Sequence, residues 1–221
     1  MKLIINLVKN RKFKMISILT LLLFFYINVC AISYANIVFR DISDSVFRLH
    51  VIANSDNQVD QDLKYKVRDK VIEYMNTLIT KEMDKQEVIN IAQNNLEEFK
   101  QIAIKTVIEE GFNYNVETKI GNYYFPTKEY GDISLPSGLY DALRIEIGEA
   151  KGKNWWCVMF PQLCFVDVSK GIVPEDSKEE LKRSIGEDGF EIISNKTSPE
   201  IKIKFKILEI FGSNSMITAK K

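Results

Sequence analysis

Residues 46–78, VFRLHVIANSDNQVDQDLKYKVRDKVIEYMNTL, read as a strand followed by a helix. Val46 to Ala53 is dense in branched apolar and aromatic side chains, the composition of a strand. Asn54-Ser55-Asp56 stops it, and Ser55 with Gln58 three residues on has the form of a capping box. Leu63, Val67, Val71, Tyr74 and Leu78 then recur at helical spacing and predict one buried stripe. That stripe leaves Asp62 and Lys66 as an exposed i,i+4 pair. Asp60, Gln61, Lys64, Arg68 and Asp69 read most simply as a solvated helix face.

Downstream, Asp84 and Glu87 form a second capping box at the head of a helix striped by Val88, Ala92, Leu96, Phe99, Ala103 and Val107, with Gly111 as its stop. Phe112, Tyr114, Val116, Thr118 and Ile120 alternate with polar residues as a half-buried strand. Gly121-Asn122 has the form of a hairpin turn into Tyr123–Thr127, and Pro126 places that partner at an edge or ends it early. Residues 130–138 carry no period and read as a loop, whereas Leu143, Ile145 and Ile147 alternate as a strand. Gly148 to Asn154 is a polar turn, and Trp155 to Phe160, apolar on both faces, reads as an interior strand. A short helix is expected over 175–185, broken by Gly186 and Gly189. Ile201, Ile203, Phe205 and Ile207 alternate with lysines as a last strand, and 208–211 could turn helical. Two adjacent long helices among mostly hairpin-linked strands specify an α+β domain with a mainly antiparallel sheet.

The amino terminus has a different character. Lys2, Lys9, Arg11, Lys12 and Lys14 are unaccompanied by acid, and the apolar run Met15–Ile27 follows, broken at Asn28. Ser33-Tyr34-Ala35 offers small residues where a signal peptidase acts, so 1–35 reads as a signal peptide. The alternative is an uncleaved anchor, in which residues 15–32 contact the membrane. Either way the positive flank stays inside and the body, 36–221, lies outside the cytoplasm. Asn28-Val29 lacks the small residue expected before a lipidated Cys30.

The whole chain of 221 residues has 30 basic and 30 acidic side chains. Removing the five basic residues of the leader leaves 25 basic against 30 acidic, a body of net charge −5. An acidic body argues against nucleic acid as a partner, which selects for clustered cations. With 46% hydrophobic residues the chain can bury a core of ordinary size.

Chemistry-bearing residues are few. His50 is the only histidine, mid-strand and out of phase with Phe47, Leu49 and Val51. A triad with Ser55 and Asp56 is outweighed by the helix cap those two residues would supply, which leaves His50 a structural or interface hydrogen bond. Cys157 and Cys164 form a disulfide, remain buried thiols, or, least favoured for want of further ligands, bind metal. A bridge requires a reversal at Pro161-Gln162. Trp155 and Trp156, adjacent in a strand, point to opposite faces, so that one is exposed for contact or both are covered. No glycine-rich phosphate loop, metal-ligand set or paired carboxylate constellation is recognisable, so no cofactor is expected.

Several strings resemble one known family: FRLHVIANSD (47–56) with Asp60-Gln61 and LKYKVRD (63–69), FPTKEYG (125–131), LPSGLY (135–140), ALRIEIG (142–148), NWWCVMFP (154–161) and LCFVD (163–167). Together they closely resemble the stage II sporulation protein R family of endospore-forming bacteria. The resemblance implies a secreted signalling protein, not an enzyme. Made in the forespore, it would cross into the space between forespore and mother-cell membranes. Its partner there would be a membrane-embedded aspartic protease of the mother cell, which cleaves the sigma-E precursor. The expected contact surface joins His50, Asn54, Ser55, Asp56, Asp60, Arg68 and Asp69 to whichever of Trp155 and Trp156 faces out. The alternatives are an exported wall hydrolase, requiring His50 or a carboxylate, and a wall-binding module.

Overall fold

The computed structural model describes residues 11–80, 82–164, 173 and 175–194. The expected strand over 201–207 and the segment 208–211 lie outside them. The chain divides into two units, Met1–Arg40 and Asp41–Lys221. Within the first runs most of helix α1 (Arg11–Ser45), whose apolar side chains from Met15 to Ile37 are largely exposed. At about 1.5 Å per residue its 35 residues extend about 50 Å, more than the roughly 30 Å of bilayer hydrocarbon. It is long and apolar enough to cross a membrane, a property it shares with signal sequences.

The second unit is a mixed α+β body. Its elements are β1 (Phe47–Ile52), α2 (Gln58–Leu78), α3 (Lys85–Asn94), α4 (Leu96–Glu109), β2 (Val116–Phe125), β3 (Lys128–Tyr130), β4 (Ile133–Leu135), β5 (Gly138–Ile147), β6 (Asn154–Phe160) and α5 (Glu175–Ile193). The main sheet has the order β2-β5-β1-β6, with β1 parallel to β5 and the other two pairings antiparallel; β3 and β4 form a separate hairpin. Thr118, Ile145, Val51 and Trp155 share one transverse row, and Thr118 Oγ1 reaches Leu96 O while Trp155 meets Tyr65. That row therefore faces α2 and α4, which pack on each other. Phe47, Leu49, Val51, Leu143, Ile145, Val67, Val71, Phe99 and Val107 are all fully buried there. The opposite, outer face of the sheet carries Arg48, His50, Arg144 and Trp156.

Local expectations fare unevenly, for identifiable reasons. The Asp84–Glu87 capping box forms in both directions, and Gly111 stops α4 with φ +84. Asp84→Ala is expected to cost about 1 kcal/mol, read as a small shift in the urea midpoint with unchanged slope. The single long helix expected from that box is two, because the chain breaks at Asn95, whose side chain receives Tyr74 OH and bonds back to Ile91 O. No turn occurs at Gly121-Asn122: β2 passes straight through, pairing Gly121 with Ala142 and Asn122 with Asp141. A ten-residue partner in full register outweighs a two-residue turn signal. Pro126 does end β2, which lies at an edge among the described strands.

Residues 130–138 are not a plain loop but contain the end of β3, all of β4 and the start of β5. Strand β6 is terminal in the sheet among the described strands rather than interior, although Cys157 to Phe160 are buried. Gly186 breaks the helical conformation (φ 76, ψ 168) as expected, but the chain continues helical through Gly189 to Ile193. Lys66 pairs with Glu110, not Asp62, which accepts from Gln58 instead.

Candidate functional site

Six of the nine residues expected at a contact surface fall where β1 runs into α2. The predicted Ser55–Gln58 capping box is absent there. Asn57 is the residue before the helix and its side chain makes no cap, because Ser55 Oγ donates to Asp60 Oδ2 (2.6 Å) and Gln58 reaches forward. Asn54 Nδ2 donates to the same oxygen (2.9 Å), and Gln61 Nε2 donates to Ser55 O (2.8 Å). Lys64 Nζ donates to Gln61 Oε1 (2.6 Å) and to Lys153 O (3.1 Å).

The expected solvated face is thus corrected: Asp60, Gln61 and Lys64 are 2%, 8% and 1% exposed. They are covered because the 148–154 turn folds over the junction and supplies its backbone as partner. Lys151 N donates to Asn54 O, Gly152 N to Ala53 O, Glu149 N to Asn54 Oδ1, and Lys153 N to Asp56 Oδ1. A buried polar group without such partners would cost about 1–3 kcal/mol, so the network is a condition of the fold.

Charge at this junction follows from its bonding. Burial opposes ionisation of Asp60, but hydrogen bonds from Ser55, Asn54 and Tyr114 outweigh it and hold the carboxyl below its ordinary range. Burial, reinforced by Arg68, pushes the Lys64 ammonium down. Beside this core, Arg68 lies over the rings of Trp155 (4.3 Å) and Tyr65 (5.0 Å) and bonds Asp69 (2.6 Å), a cation–π stack that keeps the guanidinium at the surface rim.

The remaining three residues lie on the sheet. His50 and Trp156 lie on the outer sheet face, stacked with ring centroids 5.7 Å apart. Trp155, on the helix face, is half-buried, as is Trp156, beneath the Lys128 ammonium. The nine residues therefore occupy two faces. Asn154 Oδ1 accepts from His50 Nε2 (2.7 Å), while Ser55 and Asp56 bond Asp60 and Lys153, so the three do not assemble as a triad. Burial lowers the imidazole pKa below its usual value, against the hydrogen bond to Asn154.

Sequence reading missed Arg48, Arg144, Tyr130 and Asn154. Arg48 is wholly buried, held by Tyr130 OH (2.7 Å) and by the rings of Phe125 (4.1 Å) and Tyr140 (4.7 Å). A charged residue inside the run 46–53, apolar apart from it and His50, was the available signal. Cys157 and Cys164 are bridged, with Cα atoms 5.3 Å apart across the turn at Pro161-Gln162. Among the described residues no three His, Cys, Asp or Glu side chains gather as a metal set.

Comparison with known proteins bears on this geometry. The model of a family described as stage II sporulation protein R matches residues 43–170, which include both faces just described. The chain is 38% identical over 144 residues to "Stage II sporulation protein R" of Bacillus subtilis (strain 168). That alignment covers 64% of this chain and 64% of the relative's length. No solved structure matches.

Proposed function

Because the chain belongs to the stage II sporulation protein R family, we propose that it is an exported sporulation signal that activates a membrane-embedded aspartic protease of the mother cell, which then cleaves the sigma-E precursor. The observation that carries this reading is the order of parts. A basic flank and the membrane-length apolar helix α1 precede a unit that begins at Asp41, and the family match begins at residue 43. Under the positive-inside rule that order delivers the family body to the far side of the membrane. In a sporulating cell that is the space between forespore and mother-cell membranes, with α1 either cleaved or kept as a tether.

The proposed mode of action is binding, with no covalent bond made or broken by this chain. An activator works by favouring the active arrangement of its receptor over the inactive one. Shifting that equilibrium by two orders of magnitude requires about 2.7 kcal/mol of differential affinity, within reach of a modest interface. The β1–α2 junction suits the task because its outward groups are already held in place. Asp56 is fixed by Lys153 N, and Arg68 by Trp155 and Tyr65, so little entropy remains to be lost on docking.

Reconstitution tests the function. In a non-sporulating host carrying the protease and the precursor, cleavage is expected only when this protein is co-produced and exported. Equal cleavage without it would overturn the reading. The surface is tested separately by His50→Ala, Asp56→Ala, Arg68→Ala and Trp156→Ala. At least one is expected to reduce processing tenfold or more; normal processing by all four folded, exported variants would reject these contacts.

A further inference from the structure

Seven buried side-chain nitrogen and oxygen atoms of the described residues have no hydrogen-bond partner, and five of them lie on the outer face of the main sheet. They are Arg48 Nε and Nη1, His50 Nδ1, Arg144 Nε and Trp156 Nε1. Strand register explains the grouping. Lys119, Arg144, His50 and Trp156 stand opposite one another on β2, β5, β1 and β6 and form one row across the sheet. With strands about 4.8 Å apart the row is about 15 Å long, the reach of four or five extended residues.

The chemistry of the row is one-sided. The arginine and tryptophan nitrogens can only donate, and His50, whose Nε2 is engaged by Asn154, adds a lone pair that becomes a donor on protonation. Glu146 accepts from Arg144 Nη2 (2.5 Å) and lies 3.5 Å from Lys119, and Glu117 takes the rest of Lys119. Both carboxylates stand at the Ile52 end of the face, because Glu117 and Glu146 pair with each other and Glu146 with Ile52. Toward the other end the register places Gly121 and Ala142 beside the buried Arg48, and Lys128 stands over Trp156. Arg48 is held there by phenol and aromatic rings. The face thus combines surplus positive charge with fixed donors that lack acceptors, on a body whose net charge is otherwise negative.

We propose that this outer sheet face docks an extended acidic segment of a partner protein, whose carboxylates are received by Lys119, Arg144 and Trp156. The proposal specifies the chemistry of a partner's contact and rests on the protease reading only for who that partner is.

Full-length protein in zwitterionic micelles is titrated with a fluorescent peptide of alternating glutamate and serine, and with its lysine counterpart, by anisotropy. Saturable binding of the glutamate peptide alone is expected, weakened at least tenfold by Lys119→Gln/Arg144→Gln. The helix-surface pair Lys70→Gln/Lys105→Gln, which removes the same charge, is expected to change it less than twofold. Lys119→Gln alone, with a side chain 55% exposed, keeps the comparison valid if the Arg144 change disturbs the sheet. Absence of saturable binding, equal loss in both pairs, or displacement of the peptide by anionic lipid vesicles would overturn the proposal. Loss of peptide binding with normal precursor cleavage would keep the docking face and remove the protease as its partner. Cleavage independent of this protein would overturn only the protease reading.

Discussion

Gly152→Ala is expected to destabilise the body by about 3 kcal/mol or more, a drop of roughly 6–12 °C in melting temperature for a domain of this size. An added Cβ would stand 2.2 Å from Ser55 O and 2.9 Å from Ala53 Cβ. Neither neighbour is free to yield. Ser55 O is bonded by Gln61 Nε2, and Ala53 is fully buried with its carbonyl taking Gly152 N. The turn would have to lift, breaking the bonds from Lys151 N to Asn54 O and from Lys153 N to Asp56 Oδ1, and uncovering Lys64. Gly111→Ala is the contrast: its φ of +84 strains alanine, but nothing lies within 4 Å, so about 1–2 kcal/mol is expected. Thermal unfolding followed by circular dichroism separates the two. A Gly152→Ala loss below that of Gly111→Ala would show that the turn does not clamp the junction.

The second large effect belongs to Asp60. Asp60→Ala leaves the Ser55 hydroxyl and the Asn54 amide without their shared acceptor in a covered site, and about 2–4 kcal/mol of stability is expected to go with it. The pH dependence carries the diagnostic. The folded carboxyl titrates below its unfolded value, so its contribution is complete above about pH 4 and is lost as pH falls through the folded pKa. Asp60→Asn keeps the shape and removes the titration. Its stability is expected to fall less steeply than that of the parent between pH 5 and 2 in urea titrations. Parallel acid limbs would mean that Asp60 does not hold the junction as an ionised acceptor.

Both effects arise at a place that sequence pattern described only in part. Position and type of the long elements were legible: β1, the helix striped by Leu63, Val67 and Val71, the Asp84 start and the strand of Leu143, Ile145 and Ile147 each declare themselves through period or cap. Those signals are local, and the structure honours them because burial of one face and satisfaction of terminal amides are demanded within a few residues of chain. Asp60, Gln61 and Lys64 were misread as wet for the same reason. Their cover comes from residues 148–154, about ninety positions away, and no local period records a distant backbone carbonyl. Gly121-Asn122 failed similarly, since a turn-forming pair yields to ten residues of ladder supplied by β5.

The amino-acid order alone determined that an apolar, basic-flanked helix precedes an α+β body, because hydrophobic period, caps and charge asymmetry are properties of neighbouring residues. Tertiary structure decided which polar residues are interior and which face each tryptophan takes. It placed Asp60 and Lys64 under the 148–154 turn, and gathered Arg48, His50, Arg144 and Trp156 from three strands onto the one face of the sheet that lies away from the helices. That gathering depends on the parallel register of β1 with β5 and the antiparallel register of β1 with β6, and strand register is fixed only when distant strands pair to bury a common core.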